Sequence, residues 1–213
     1  MQTPFVIIGI GKSGTAAKNL LLAQGVPAAQ VQTFDEKNAT ADFNQWSQLD
    51  GLPIGTLVVS PGVPLASQPL IDLKNKGWQI TSEINLACVH LSDEILIGIT
   101  GSVGKSTVTS LLGEAVRFDD ANAFVGGNLG IPLAEYALQL ITKKQKSRYV
   151  VIELSSYQLE NCTSLKLDYS AITFLSSNHL ERYPSAEAYY LTKCHIGKMT
   201  KNICILNESS KDL

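Results

Sequence analysis

The chain is 213 residues long, enough for one large domain or two small ones, each with its own core. Its 17 basic and 19 acidic residues leave a net charge of -2, which excludes a broad field for attracting nucleic acid or an anionic membrane. The four cysteines form no CxxC pair, and the short apolar run in MQTPFVIIGIG follows no basic region, so a reduced, soluble, cytoplasmic protein without signal peptide or membrane span is expected.

Short β-branched apolar runs at 5–8, 32–34, 56–59, 95–99, 149–152 and 171–174 predict strands, each followed by a turn of small residues and a helical pattern. Helices are expected over 15–24, ended by Gly25, over 106–116, and from near Ser185. A last strand at 202–206 leads into polar residues with no helix after it, so the second domain is expected to be incomplete. Strand and helix alternation of this kind predicts an α/β fold with parallel sheets covered on both faces. Two junctions are rich in glycine, 9–14 and 98–104, and each opens a run of βα units. The duplication predicts two Rossmann-like domains, 1–92 and 93–213, with the boundary in the polar stretch 90–94.

After the strand at 95–99, Thr100-Gly101-Ser102-Val103-Gly104-Lys105-Ser106-Thr107 runs directly into a helix. Glycine lets backbone N–H groups turn inward around a phosphate chain, Lys105 adds a point charge at the outer phosphates, and the Ser106 hydroxyl suits Mg²⁺. The pattern predicts a phosphate loop of the P-loop ATPase type, with Gly101, Ser102, Gly104, Lys105, Ser106 and Thr107 around ATP. The first glycine of GxxxxGK[ST] would fall at Ile99, flanked by Gly98 and Gly101. The plainer alternative is a glycine-rich turn that happens to contain lysine.

The amino-terminal turn Gly9-Ile10-Gly11-Lys12-Ser13-Gly14 satisfies GxGxxG, and Asp35 ends the next strand. That arrangement suits NAD or a uridine diphosphate group, or is a tight turn without a ligand. Further on, Glu153 ends an apolar strand, the polar cluster Ser155-Ser156-Tyr157-Gln158 follows, and His179 lies beyond the strand at 171–174. A carboxylate and an imidazole at neighbouring strand ends would suit a metal beside the triphosphate, although histidine is an unusual ligand for Mg²⁺; a capping histidine is the alternative. Composition alone reads Lys193 as a solvated lysine.

At this point GITGSVGKSTVT, VGGNLGIP (125–132), VIELSSYQLE (151–160), NHLERYPS (178–185) and AYYLTK ending in Lys193 together resemble the Mur ligases. The resemblance extends through GIGKSG, TFDEK, VVSPGVP (58–64) and Ser82-Glu83-Ile84, and so covers nearly the whole chain. It implies an ATP-dependent ligase of peptidoglycan synthesis, and hence of cell-wall biogenesis, cell shape and division. D-glutamate would be joined to UDP-N-acetylmuramoyl-L-alanine through an acyl phosphate. By the same resemblance Lys105 would hold the ATP phosphates, and Ser106 with Glu153 a first Mg²⁺. His179 and a carbamylated Lys193 would serve a second Mg²⁺, giving Lys105, His179 and Lys193 catalytic roles. Asn128 and Ser155 would touch nucleotide or substrate, and Gly11, Lys12, Ser13, Asp35, Glu36 and Gly62 would surround the uridine diphosphate. A monomer is expected.

Three departures from the family pattern stand out. Val103 replaces a polar loop residue, Asn178 replaces an aspartate before the histidine, and the third domain of such ligases, which binds the incoming amino acid, is expected to lie outside these residues. Another Mur or folylpolyglutamate-type ligase, or a non-catalytic nucleotide-binding fragment, are the alternatives.

Overall fold

The computed structural model describes residues 1–176 and 182–209. In chain order the first elements are β1 (Phe5–Ile8), α1 (Lys12–Ala23), β2 (Val31–Phe34), β3 (Thr56–Val59), α2 (Gln68–Asn75), β4 (Gln79–Thr81) and α3 (Glu83–Cys88). They continue with β5 (Ile95–Thr100), α4 (Lys105–Arg117), β6 (Phe124–Gly127), α5 (Leu133–Lys143), β7 (Tyr149–Glu153), α6 (Ser156–Leu159), β8 (Leu167–Ile172), α7 (Ala186–Met199) and β9 (Thr200–Leu206). Two compact units result: Met1–His90 with Ala134–Lys144, and Leu91–Leu133 with Gln145–Leu213. The helix α5 is thus grouped with the first unit although its sequence lies among the elements of the second.

In the first unit the sheet order is β2-β1-β3-β4, and every pairing is parallel. β1 and β3 are buried along their whole length, which is why they read as unbroken apolar runs rather than alternating ones. Val6, Ile8, Leu57 and Val59 pack with Phe34, Leu70, Leu73 and Trp78. On α1 the buried residues Gly14, Ala16, Ala17, Leu20 and Leu21 recur at helical spacing, and α1 packs on α3. Each of the two leucines contributes ~1.5–3 kcal/mol by leaving water.

The second unit has the order β6-β7-β5-β8-β9, again all parallel, with β5 at the centre. Gly98 stands inside β5, where a Cβ would overlap Leu167 Cδ1; this glycine serves packing of the sheet, not the phosphate pattern. The expected strand at 171–174 proves to be β8, which begins at Leu167 and ends at Ile172. Asp168 and Tyr169 mask its start in the sequence, yet the Asp168 carboxylate accepts the Leu96 N–H at 2.9 Å. Two strands, β4 and β6, were not expected. β4 is only three residues long and β6 ends in two glycines, so neither carries a β-rich signature. All four cysteines are free thiols, and among the described residues no helix is long and apolar enough to cross a membrane.

One buried acid ties the first unit together. Glu83 opens α3 behind the Ser82 N-cap, and its Oε1 accepts the Ala134 N–H at 2.5 Å in the first turn of α5. Burial pushes the Glu83 carboxyl up to about 7; the Ala134 hydrogen bond opposes the shift and the nearby Glu135 charge adds to it. Because the folded value lies above the ordinary 4.5, the protonated form favours folding, and that contribution is full below 4.5 and lost as pH rises through about 7. Relative to Glu83→Gln, which cannot ionise, the native chain should therefore lose a few kcal/mol of stability in denaturant melts between about pH 5 and about pH 8. An unchanged gap between the two proteins would show that Glu83 ionises as freely folded as unfolded.

Candidate functional site

The central strand β5 delivers the loop 101–104 to the amino end of α4, at the carboxyl edge of its sheet. Gly101 at φ 147° and Gly104 at φ 86° make the turn, and both angles are ones that L side chains rarely adopt. A Cβ on Gly101 would overlap Thr173 Oγ1, whereas one on Gly104 would come no closer than 3.9 Å to Thr173 Cβ. Gly104 is the N-cap of α4 and supplies no side chain to its free N–H groups, so the positive end of the helix faces outward uncapped.

The loop is held from the neighbouring strand end. Ser102 N–H and Val103 N–H donate to Phe174 O at 2.8 and 3.3 Å, and Thr173 Oγ1 donates to Val103 O at 2.7 Å. The Ser102 hydroxyl donates to Ser176 O at 2.9 Å and accepts the Tyr189 hydroxyl at 3.1 Å. Lys105 Nζ donates to Ser102 O at 3.2 Å, while Ser106 and Thr107 are exposed. The Val103 side chain is 60% exposed and its backbone bridges Phe174, so the departure at this position leaves the loop's internal bonding intact.

Glu153 at the end of β7 is 2% exposed. Its Oε1 accepts Asn128 Nδ2 at 2.7 Å and its carbonyl accepts Asn128 N–H at 2.8 Å, which brings the loop after β6 against β7. The other carboxylate oxygen, Oε2, is buried without a hydrogen-bond partner. Such an atom is costly unless a cation or donor meets it.

Lys193 corrects the reading from composition: it is 1% exposed, not solvated. Tyr189 stands four residues earlier on α7, one helical turn away, and the Lys193 ammonium lies 4.7 Å from the centre of its ring. Burial first, and then the Lys105 charge, lower Lys193 to about 7 against the opposing pull of Glu153. A lysine with that value carries a substantial neutral fraction near neutral pH, and the neutral amine is the nucleophilic form.

Ser155 is engaged locally. It is the N-cap of α6, its hydroxyl donating to Gln158 Oε1 at 3.0 Å and accepting the Gln158 N–H at 3.3 Å. His179 and Asn178 lie outside the described residues. Just after them, Arg182 Nη2 reaches Glu160 Oε2 at 2.7 Å, the Tyr183 hydroxyl donates to Glu160 Oε1, and the Tyr183 ring lies 5.3 Å from that of Tyr189. Sequence reasoning gave no role to Thr173, Phe174 or Tyr189. The first two sit where a strand was expected to continue, and only the four-residue spacing from Lys193 signals the third. Among the described residues no three His, Cys, Asp or Glu side chains cluster as metal ligands, since the expected set draws on a hydroxyl, a lysine and His179.

In the first unit the expected residues meet at the carboxyl ends of three adjacent strands. Gly11, Lys12 and Ser13 follow β1 and open α1, Asp35 and Glu36 follow β2, and Gly62 follows β3. Asp35 Oδ2 accepts Ile10 N–H at 3.1 Å and Oδ1 accepts Lys37 N–H at 3.0 Å, and these bonds hold its carboxyl below the usual range. Glu36 accepts the Trp46 indole N–H at 3.0 Å. Gly11 caps α1 without a side-chain bond, and Lys12, Gly11 and Gly62 are exposed.

Two Rossmann-like parallel sheets, the second with a phosphate-type loop at its central strand, define an α/β protein of the P-loop class. Residues 99–212 match the Mur ligase middle domain, and the chain belongs to the Mur ligase family. It is 35% identical over 98% of its length to a UDP-N-acetylmuramoylalanine--D-glutamate ligase from Myxococcus xanthus, covering 48% of that protein. It is 37% identical over 95% of its length to the Pectobacterium atrosepticum protein of the same name, covering 46% of it. The chain thus spans about half the length of the curated relatives it matches. Among solved structures, the UDP-N-acetylmuramate:L-alanyl-gamma-D-glutamyl-meso-diaminopimelate ligase from Neisseria meningitides superposes with a TM-score of 0.62 at 14% identity, over 100% of this chain and 73% of that one. At that identity the likeness speaks for the fold.

The two loop glycines should respond differently to substitution. Gly101→Ala meets both an unfavourable φ and the Thr173 side chain, and should destabilise the chain by about 2–4 kcal/mol; Gly104→Ala meets only the former, and should cost about 1 kcal/mol. Denaturant titrations of the two variants check the order, and a larger loss at Gly104 would contradict the role given to Thr173.

Proposed function

We propose that this chain carries the UDP-substrate and ATP sites of an ATP-dependent ligase that adds D-glutamate to UDP-N-acetylmuramoyl-L-alanine in peptidoglycan synthesis. Relatives bearing the D-glutamate ligase name match along nearly the whole chain, in both units. The observation that carries the reading is the grouping at one sheet edge of an uncapped phosphate-type loop, Lys105, a buried Glu153 with a free oxygen, and a buried Lys193. On this reading residues 1–92 hold the uridine diphosphate group, through Gly11, Lys12, Ser13, Asp35, Glu36 and Gly62. Residues 93–213 hold ATP, through Gly101, Ser102, Gly104, Lys105, Ser106, Thr107 and Asn128, in a cytoplasmic, monomeric enzyme.

The chemistry asks an anionic carboxylate to approach an anionic phosphate. The loop N–H groups and the Lys105 ammonium lower that repulsion and the charge that builds up during transfer. A carboxylate oxygen of the substrate would attack the γ-phosphorus of ATP, forming an acyl phosphate as the bond to ADP breaks; the D-glutamate amine would then attack the acyl carbon, phosphate leaving and the amine giving up a proton, to yield an amide. Glu153 Oε2 fits a cation: it is a buried carboxyl oxygen without a hydrogen-bond partner. Ser106 with Glu153 would hold one Mg²⁺, and His179 with Lys193 a second; bound there, the ions supply charge neutralisation between the reacting anions. For Lys193 to serve as a ligand, its neutral amine adds to the carbon of CO₂ and releases a proton, giving a carbamate. Asn128 orients Glu153 through its side-chain amide. Ser155 would reach substrate only by giving up part of its bonding with Gln158.

Isothermal calorimetry with MgATP and with UDP-N-acetylmuramoyl-L-alanine, titrated separately, tests the assignment. Lys105→Ala should weaken MgATP binding about ten- to hundredfold, as expected for loss of a charged hydrogen-bonding partner, and leave the UDP ligand within about twofold. A folded native chain with no affinity for either ligand would overturn the proposal, and equal loss of both on substitution would overturn the role of Lys105.

A further inference from the structure

In the first unit β2 is an edge strand, and the chain that follows it returns to that edge. The Asp42 carboxylate accepts the Thr33 N–H at 2.8 Å and the Thr33 hydroxyl at 2.7 Å. The Phe43 N–H donates to Thr33 O at 3.0 Å, and Phe43 O accepts the Asp35 N–H at 3.1 Å, which sets Phe43 beside Phe34 as one further bridge on the sheet. Trp46 comes three residues later. Its ring lies 4.1 Å from that of Phe34, and it packs with Phe43 against the core of the unit. The turn that carries it is locked on itself: Gln48 Oε1 accepts the Asn44 and Gln45 N–H groups, both at 2.9 Å, and Leu49 is fully buried. From this fixed position the Trp46 indole N–H donates to Glu36 Oε1 at 3.0 Å. An exposed glutamate in a turn samples several rotamers, and a bond between two flexible surface groups would hardly restrict it. Here the donor is a wedged ring, so the restriction falls on the carboxylate.

We propose that Trp46 is a positioning residue for nucleoside recognition: it holds the Glu36 carboxylate near the carboxyl end of β2, where Oε2 accepts a hydroxyl or an imide N–H from the nucleoside half of the ligand. The inference rests on the uridine diphosphate site proposed above and deepens it. Asp35, the neighbouring acid, already has each carboxylate oxygen engaged by a backbone N–H, whereas the indole takes only Oε1 of Glu36. Trp46 acts through Glu36 and not by touching the ligand. A carboxylate set in place before the ligand arrives does not have to be immobilised on binding, and that ordering cost is what the tether removes. The diphosphate half, at the start of α1, does not depend on it.

The chain has 2 tryptophans, so its NMR spectrum holds two indole N–H signals, and Trp78 in the core serves as the internal reference. Without ligand, Glu36→Ala should move the Trp46 signal upfield and leave that of Trp78 in place; an unmoved Trp46 signal would overturn the tether. Calorimetry with UDP, and with inorganic pyrophosphate in its place, then reads the effect on binding. Trp46→Phe and Glu36→Ala should each weaken UDP binding about tenfold, the order expected for loss of a hydrogen bond to a charged group, and leave pyrophosphate within about twofold. The double variant should lose no more than either single one, because both remove the same interaction. Losses that multiply to about a hundredfold, or an equal loss of pyrophosphate, would make Trp46 a packing residue only and overturn the proposal. Should Trp46→Phe not fold, Glu36→Ala, at an exposed position, decides through the Trp46 signal and the UDP titration, and unchanged UDP affinity there counts against the proposal. A native chain without UDP affinity would sink the uridine diphosphate site instead, while the indole signal would still decide whether Trp46 holds Glu36.

Discussion

The phosphate-type loop keeps its shape because the end of β8 is bonded to it. Two loop N–H groups share Phe174 O, and the Thr173 hydroxyl bonds Val103 O while standing where a side chain on Gly101 would have to go. Those contacts consume the loop's outward-facing polar groups on one side. The uncapped first turn of α4 is left on the other. Preorganisation of this kind matters for an anion site: donors already aimed need not be reoriented when charge arrives or develops. β8 therefore does more than extend the sheet, since Thr173 and Phe174, which directly follow it, hold the loop.

Around that loop the balance of buried charge is unusual for a core. Glu153 and Lys193 are both nearly inaccessible, and Lys193 lies close enough to Lys105 for their like charges to interact. Satisfying a buried carboxylate by a direct ion pair with lysine would be the simplest solution. Here Glu153 Oε1 takes the Asn128 side chain and Oε2 is left without a hydrogen-bond partner, while the Lys193 amine lies over the Tyr189 ring. Stability alone does not account for such an arrangement, because each group forgoes part of its compensation. The proposed site, receiving cations and phosphates, would account for it.

Much of this was legible in the sequence. The strands β1, β3, β5 and β7 announce themselves because sheets buried on both faces need continuous apolar runs. The glycine turns followed from spacing alone. What failed was local signal overridden by tertiary context. β8 starts with Asp168 and Tyr169, and β6 ends in Gly126 and Gly127, so composition argued against both. Lys193 reads as a surface residue on a helix of mixed polarity, and only the packing of Tyr189 and β5 against α7 buries it. The bond between Glu83 and Ala134 spans fifty-one positions, and no pattern within either segment could reveal it.

The two units place glycine-rich turns at equivalent strand ends, yet the electrostatics of the turns differ. Lys105 stands at the loop after β5, and among the described residues no carboxylate is bonded to that loop's N–H groups. After β1, the Asp35 carboxylate already occupies the Ile10 N–H. An anion cannot share that donor with Asp35. On the proposed function a diphosphate at the first turn would be directed to the start of α1, where Gly11 leaves the helix uncapped and Lys12 adds positive charge. By the same proposal, the different charges at the two turns would separate a triphosphate from a nucleoside diphosphate.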